Sequence, residues 1–87
     1  MPYIQQKQRP SVDSRLEPLI EYLKSLPVEV QDGHMNYLIT RMLKELYPLK
    51  YYDCNRAIGM LECVKQEYYR MVIGPYEDTK IIENGNV

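Results

Sequence analysis

The stretch that decides the fold is residues 53–73, DCNRAIGMLECVKQEYYRMVI. Steps of three and four residues separate its apolar positions, which are Cys54, Ala57, Leu61, Val64, Tyr68 and Met71. This spacing predicts a long helix over about 53–73 with a seam of coiled-coil type, widened by Ile58 and Val72. Asp53 is the expected N-cap, and Gly74-Pro75 is expected to break the helix. We expect the seam to pack in the protomer's own core.

A first helix is predicted upstream, at about 12–26. Its apolar face consists of Leu16, Leu19, Ile20, Leu23 and Leu26. Ser11 or Ser14 is the expected N-cap, and Pro27 is expected to close the helix. Pro18 requires either a start near Ser14 or a kink, and the sequence leaves both open.

A second helix is predicted at about 33–47, opened by Asp32-Gly33 and closed by Pro48. Its apolar positions are Met35, Leu38, Ile39, Met42, Leu43 and Leu46. A short C-terminal helix is expected at about 76–83, ending at Asn84-Gly85.

These elements predict an all-α protein, a small bundle of three main helices plus a short C-terminal helix. Residues 1–10 carry two prolines and are expected to form an N-terminal arm with a single turn around Ile4. Residues 11–87 are then a single helical domain.

The size of the chain limits how it can be stabilised. Eighty-seven residues bury a small core, so a disulfide, a metal or self-association is the usual addition. Cys54 and Cys63 would lie on opposite sides of one helix, about 13 Å apart along its axis, which is beyond disulfide reach. His34 has no metal-ligand spacing around it, so no metal is expected. Self-association remains, and we expect a homo-oligomer.

Charge and hydropathy exclude several partners. The net charge of −1 argues against a DNA- or RNA-binding surface. No segment approaches the roughly 20 apolar residues that a membrane span needs, and the N-terminus has no apolar signal run. Two unpaired thiols suggest a reducing compartment. We therefore expect a soluble cytoplasmic protein.

Tyrosine and arginine supply the candidate binding residues. All nine aromatic residues are tyrosines, which favour half-wet core edges and interfaces. Arginine forks beside aromatic planes suit phosphates and nucleotides. The candidate ligand-binding set on the second and third helices is Tyr37, Arg41, Lys44, Arg56, Gln66, Tyr69 and Arg70. The alternative, favoured for any single residue, is a solvated face of i,i+3 ion pairs.

Enzymatic activity is not expected. The sequence has no nucleophile elbow, no Gly-rich phosphate loop and no dinucleotide fingerprint. Its adjacent carboxylates, Glu77-Asp78, serve equally well as charges at a helix start. We predict no catalytic residue and no cofactor.

Three segments carry a family resemblance: residues 33–40 (GHMNYLIT), 55–70 (NRAIGMLECVKQEYYR) and 75–86 (PYEDTKIIENGN). They resemble a family of short uncharacterised proteins of bacteria and phages with the pattern Asn-Tyr-x-Ile-Thr, Ile-Gly-x-Leu-Glu, Pro-Tyr-Glu-Asp and Glu-Asn-Gly. Asn86 stands where the family pattern has Asp. The resemblance implies a helical protein inside a bacterial host cell and supplies no activity.

The leading interpretation is a non-enzymatic small helical binding module that self-associates. One alternative, which follows if the family is carried by phages, is a counter-defence sponge that sequesters a nucleotide second messenger or another anionic ligand between subunits. Another is an adaptor that binds a host or phage protein, with the acidic tail from Tyr76 to Glu83 as its contact.

Overall fold

The computed structural model describes residues 4–87, and regular structure in that range is helical throughout. A 3₁₀ turn at Gln6–Gln8 precedes the helices α1 (Arg9–Lys24), α2 (Val28–Leu46) and α3 (Tyr51–Tyr68). A π-helical turn, Tyr69–Ile73, joins α3 to α4 (Gly74–Asn84). The prediction of an all-α protein is confirmed, with no strand between residues 4 and 87.

Helix α1 begins earlier than the sequence pattern predicts, at Arg9 instead of about residue 12. Pro10 lies in the first turn, where its missing N–H costs nothing. Neither predicted N-cap serves as one. The hydroxyl of Ser11 donates to the carbonyl of Gln8, and that of Ser14 donates to the carbonyl of Ser11, so both lie inside the helix.

The predicted N-terminal arm is therefore shorter than residues 1–10. Its single turn is at Gln6–Gln8 rather than at Ile4, and the backbone N–H of Gln5 donates to the side-chain oxygen of Gln8 at 3.0 Å. The part of the arm at 1–3 lies outside the described residues. Helix α1 also runs through Pro18 without ending there.

Helix α2 begins at Val28, five residues before the predicted start. The first helix ends at Lys24, two residues before the predicted end, and Pro27 also begins the next helix, because its carbonyl accepts the N–H of Val30 at 3.1 Å. Proline lacks only a donor, so it stands readily at a helix start. The predicted opening at Asp32-Gly33 is consequently wrong, and both residues are interior to α2.

The predicted break at Gly74-Pro75 is also wrong, because the chain stays helical from Tyr51 to Asn84. The π turn places the N–H of Gly74 on the carbonyl of Tyr69, five residues back, and Pro75 then occupies the first turn of α4. A wide turn before a proline accommodates the residue that cannot donate. The predicted helices at 53–73 and 76–83 are thus one helical run.

Helix α3 also begins upstream of its predicted start. The N-cap is Lys50, and Asp53 lies in the first turn, where a carboxylate is favourable to the helix dipole. At the far end, Gly85 has φ +83° and its N–H donates to the carbonyl of Ile81, so α4 ends at the predicted position.

The contacts divide the chain into two compact units, of which the first ends at Met42 and the second runs from Leu43 to Val87. In the first unit, the side-chain amide of Gln31 donates to the carbonyls of Leu23 and Leu26, each at 3.2 Å. The carbonyl of Leu23 also accepts the backbone N–H of Leu26 at 3.2 Å, so the Gln31 amide binds to the turn that follows α1. The ring of His34 meets that of Tyr22 edge-on, with centroids 6.3 Å apart.

Burial in the single chain is sparse. Ala57, 7% exposed, is the one buried residue in the described range. The expectation that the α3 seam forms the protomer's own core is therefore wrong for its C-terminal half, where Val64, Tyr68 and Met71 are each more than half exposed. No helix within residues 4–87 combines the length and the apolar character that crossing a membrane requires.

Candidate functional site

All seven predicted ligand-binding residues lie on helices with exposed side chains. Tyr37 and Arg41 belong to α2 in the first unit, and Lys44 lies on the part of α2 in the second. Arg56 and Gln66 lie on α3. Tyr69 and Arg70 begin the π turn.

Tyr37 and Arg41 form a pair one helical turn apart. A guanidinium nitrogen of Arg41 donates to the phenol oxygen of Tyr37 at 3.4 Å. This is the combination of a guanidinium and an aromatic ring that the sequence predicts on the polar face of α2.

Arg56 is held between an aromatic ring and a carboxylate. Its guanidinium carbon lies 4.5 Å from the centre of the Tyr47 ring, and its Nη2 donates to Asp53 at 3.1 Å. The Asp53 side chain is only 17% exposed. Tyr47 stands just beyond α2 and is missing from the predicted set. Its position before Pro48, at the turn into α3, is the signal that could have found it.

Gln66 and Arg70 take part in pairs along their own helix. Gln66 donates to Glu62 at 3.4 Å, and Lys65 lies 3.1 Å from the same carboxylate. The hydrogen bond from Lys65, followed by that from Gln66, lowers the pKa of Glu62. Arg70 pairs with Glu67. The interpretation of this face as solvated i,i+3 pairs is confirmed for Arg56, Lys65 and Arg70.

Tyr69 makes a contact that the sequence does not reveal. Its hydroxyl donates to Glu77 at 2.6 Å, eight residues along the chain. This hydrogen bond, and the charge of the same carboxylate, raise the pKa of Tyr69 above 10.0. In a plain α-helix, residues eight apart differ by about 80° in direction. The wide π turn between them brings the two side chains into line.

An open groove follows α4 and the C-terminal tail. Its lining includes Gly74, Ile81 and Val87 together with both signs of charge, among them Arg70, Asp78 and Lys80. Mixed charge does not select an anion over a cation. The groove is therefore a weaker candidate for a nucleotide than the arginine–tyrosine pairs.

An apolar row of side chains runs along the second unit. Val64, Tyr68, Val72 and Tyr76 follow one another at steps of four along the run from α3 through the π turn to α4. Their side chains are 55%, 59%, 48% and 60% exposed, respectively. We call this row the apolar stripe. The periodicity of the sequence includes Val64, Tyr68 and Val72 and misses Tyr76, because it predicts a break at Gly74.

The helices, the arginine–tyrosine pairs and the exposed apolar stripe identify a small all-α protein. They do not identify a chemical reaction. The chain belongs to the family described as a domain of unknown function (DUF6899), which matches residues 1–87. No curated protein and no solved structure matches it.

Proposed function

We propose that the protein is a non-enzymatic helical module that works by self-association and by binding through its helices. The observation that carries this proposal is the exposure of its apolar faces. Within residues 4–87, Ala57 alone among the periodic apolar positions of the three long helices is buried, and each helix leaves some of them more than 40% exposed: Leu16, Met35, Met42 and Val64. Soluble monomers rarely leave contiguous apolar patches of this kind uncovered.

The second unit alone offers enough apolar surface for an interface. Six large side chains on α3, the π turn and α4 are exposed: Ile58, Val64, Tyr68, Met71, Val72 and Tyr76. At roughly 60–120 Å² for each side chain, the six supply roughly 360–720 Å². A standard interface takes about 800 Å² from each partner, somewhat over half of it apolar, so the supply is sufficient.

The partner that fits this surface best is a second copy of the chain. A two-fold interface needs only one patch, because the same residues face each other from both subunits. A chain below about 90 residues also gains the core that it lacks when two copies bury their faces together.

A charge placed on the stripe tests the proposal. Val64→Lys removes an exposed side chain, so the helix should survive while self-association is lost, because the interface would bury an unpaired charge. Cys63→Lys is the matched control, since Cys63 is the exposed neighbour on another face of α3. We expect native mass spectrometry to show an oligomer for the wild type and for Cys63→Lys, and a monomer for Val64→Lys. A wild type that stays monomeric at high micromolar concentration would overturn the proposal.

The second candidate function is the anionic-ligand sponge, set in the cytoplasm of a bacterial host and carried by a phage. The Tyr37–Arg41 pair favours it, because there the guanidinium meets a phenol rather than a carboxylate. The pairing of Arg56 with Asp53 and of Arg70 with Glu67 weighs against the α3 part of the predicted site, since each cation already has a carboxylate beside it.

Small molecules released by denaturing freshly purified protein discriminate the two candidates. A co-purified nucleotide that disappears in Arg41→Ala, with the oligomer intact, supports the sponge. Protein free of bound nucleotide that still self-associates supports the module alone. A single protein partner lost on deletion of residues 76–87 would instead indicate the adaptor.

A further inference from the structure

The π turn changes the direction of the side chains that follow it. Steps of four residues in a plain α-helix drift by about 40° each, so a row of such positions winds around the helix. One π turn, at about 4.4 residues per turn, offsets most of that drift. Val64, Tyr68, Val72 and Tyr76 consequently form a nearly straight row on one side of the helical run.

Two observations establish the direction of the side chains after the π turn. The N–H of Gly74 bonds to the carbonyl of Tyr69, which is the five-residue spacing of a π turn. The hydroxyl of Tyr69 reaches Glu77 at 2.6 Å, so positions eight apart are in line across the turn. Tyr68 and Tyr76 stand one residue before this pair and are also eight apart, so they share a face for the same reason.

Small and large side chains alternate along the row, as Val, Tyr, Val, Tyr. Two copies can therefore fill an interface evenly only if a valine of one faces a tyrosine of the other. Reversing the row about its middle produces that match, because Val64 then meets Tyr76 and Tyr68 meets Val72. The middle of the row falls at residue 70, inside the π turn.

We propose that two copies pair antiparallel through the apolar stripe, with the two-fold axis beside the π turn. This inference rests on the proposed function and adds the orientation and register of the subunits. Each layer holds one valine and one tyrosine, from opposite subunits.

A parallel pair is disfavoured by volume and by charge. It would set valine against valine, which leaves a gap, and tyrosine against tyrosine, which crowds the layer. It would also place Lys80 and Glu83, which flank the end of the stripe, beside their own copies. Like charges directly opposite each other are destabilising. The antiparallel register sets Lys80 at the level of Met60 and Glu83 at the level of Ala57.

Disulfide trapping tests the orientation. In a chain with Cys54→Ser and Cys63→Ser, one tagged copy carries Val64→Cys and the other carries Tyr76→Cys, and the two are co-expressed and oxidised. We expect the mixed disulfide, because facing Cα atoms lie within reach. Copies with the same substitution should not cross-link, since like positions are offset by about 18 Å along the axis. Predominant 64–64 and 76–76 disulfides would overturn the antiparallel register.

A second measurement leaves the stripe intact. A spin label on Asn84→Cys, in the same serine background, should report two labels separated along the axis by about 40 Å in an antiparallel pair. A short distance, with both labels at one end, would refute the orientation. In either experiment, an oligomer with the wrong geometry defeats this inference alone, whereas a monomeric wild type defeats the proposed function as well.

Discussion

The hydroxyl of Tyr69 and the carboxylate of Glu77 connect α4 to the turn that precedes it, although both side chains are exposed. The carboxylate raises the pKa of the phenol by accepting a hydrogen bond from its O–H, and its negative charge adds to the effect. The stability from this pair is therefore present below pH 10.0 and is lost as the pH rises through the higher folded-state value.

Replacing Glu77, the hydrogen-bond acceptor, should bring the pKa of Tyr69 back toward its ordinary value. We expect Glu77→Gln to lower the pKa of Tyr69, measured by NMR of ring-labelled tyrosine with Tyr69→Phe to assign the signal. Asp78→Asn changes the net charge equally and does not remove the hydrogen bond, so it should leave that pKa nearly unchanged. Equal shifts in both variants would contradict the assignment to Glu77.

Sequence reasoning at the level of residues succeeds where partners are three apart. The pairs of Arg56 with Asp53 and of Lys65 with Glu62 follow from their i,i+3 spacing alone. The pair of Tyr69 with Glu77 does not, because eight residues match no regular α-helical spacing. The contact of the Arg56 guanidinium with the Tyr47 ring depends on the turn between α2 and α3, which hydrophobic periodicity does not describe.

The glycines inside the helices respond differently to a methyl group. A Cβ on Gly33 or Gly59 would meet nothing within 4 Å, whereas on Gly74 it would lie 3.3 Å from the carbonyl oxygen of Tyr69. That oxygen is the acceptor of the π turn, so it has little freedom to move.

Alanine scanning of the three positions should show this difference. Gly33→Ala and Gly59→Ala should each stabilise the protein by about 0.5–1 kcal/mol through helix propensity. The crowded contact should cancel that gain in Gly74→Ala. Urea unfolding at one fixed protein concentration measures all three. If Gly74→Ala raised the free energy of unfolding as much as the other two variants, the Tyr69 carbonyl would be free to move away from the added methyl group.

The existence of the helices is predictable from the sequence, and their ends are not. The apolar periods at 16–26, 35–46 and 54–71 each mark a helix that the structure contains. Each start lies upstream of the predicted one, because α1 has Pro10 in its first turn, α2 follows Pro27 and α3 follows Lys50. The sequence pattern instead favours Ser11 or Ser14, Asp32-Gly33 and Asp53. Pro75 is typical of a stop, but a π turn lets the helical run accept it.

Taken together, residues 4–87 contain too few buried side chains to expect robust stability from a lone copy. If subunits supply the core for one another, unfolding is linked to dissociation by mass action. The melting temperature of the wild type should then rise with protein concentration. Scanning calorimetry or circular dichroism over a hundredfold dilution measures this, and Val64→Lys should lose the dependence. A constant melting temperature for the wild type would speak against shared cores.

What covers the apolar faces cannot be predicted from periodicity. The spacing of Val64, Tyr68 and Met71 states only that one side of the helix avoids water, and a neighbouring helix or another subunit satisfies that equally. The sequence pattern favours the protomer's own core for this side, and the exposure of the three residues corrects it.

The wide turn at Tyr69–Ile73 amounts to one extra residue carried within an otherwise ordinary helix. Deleting a single residue there would leave a plain helix in which the later side chains keep nearly their present directions, because positions now eight apart would be seven apart, close to two full turns. The ring of Pro75 would then collide with the carbonyl four positions before it. A one-residue deletion should therefore strain the helix at Pro75 without turning the apolar stripe to another side.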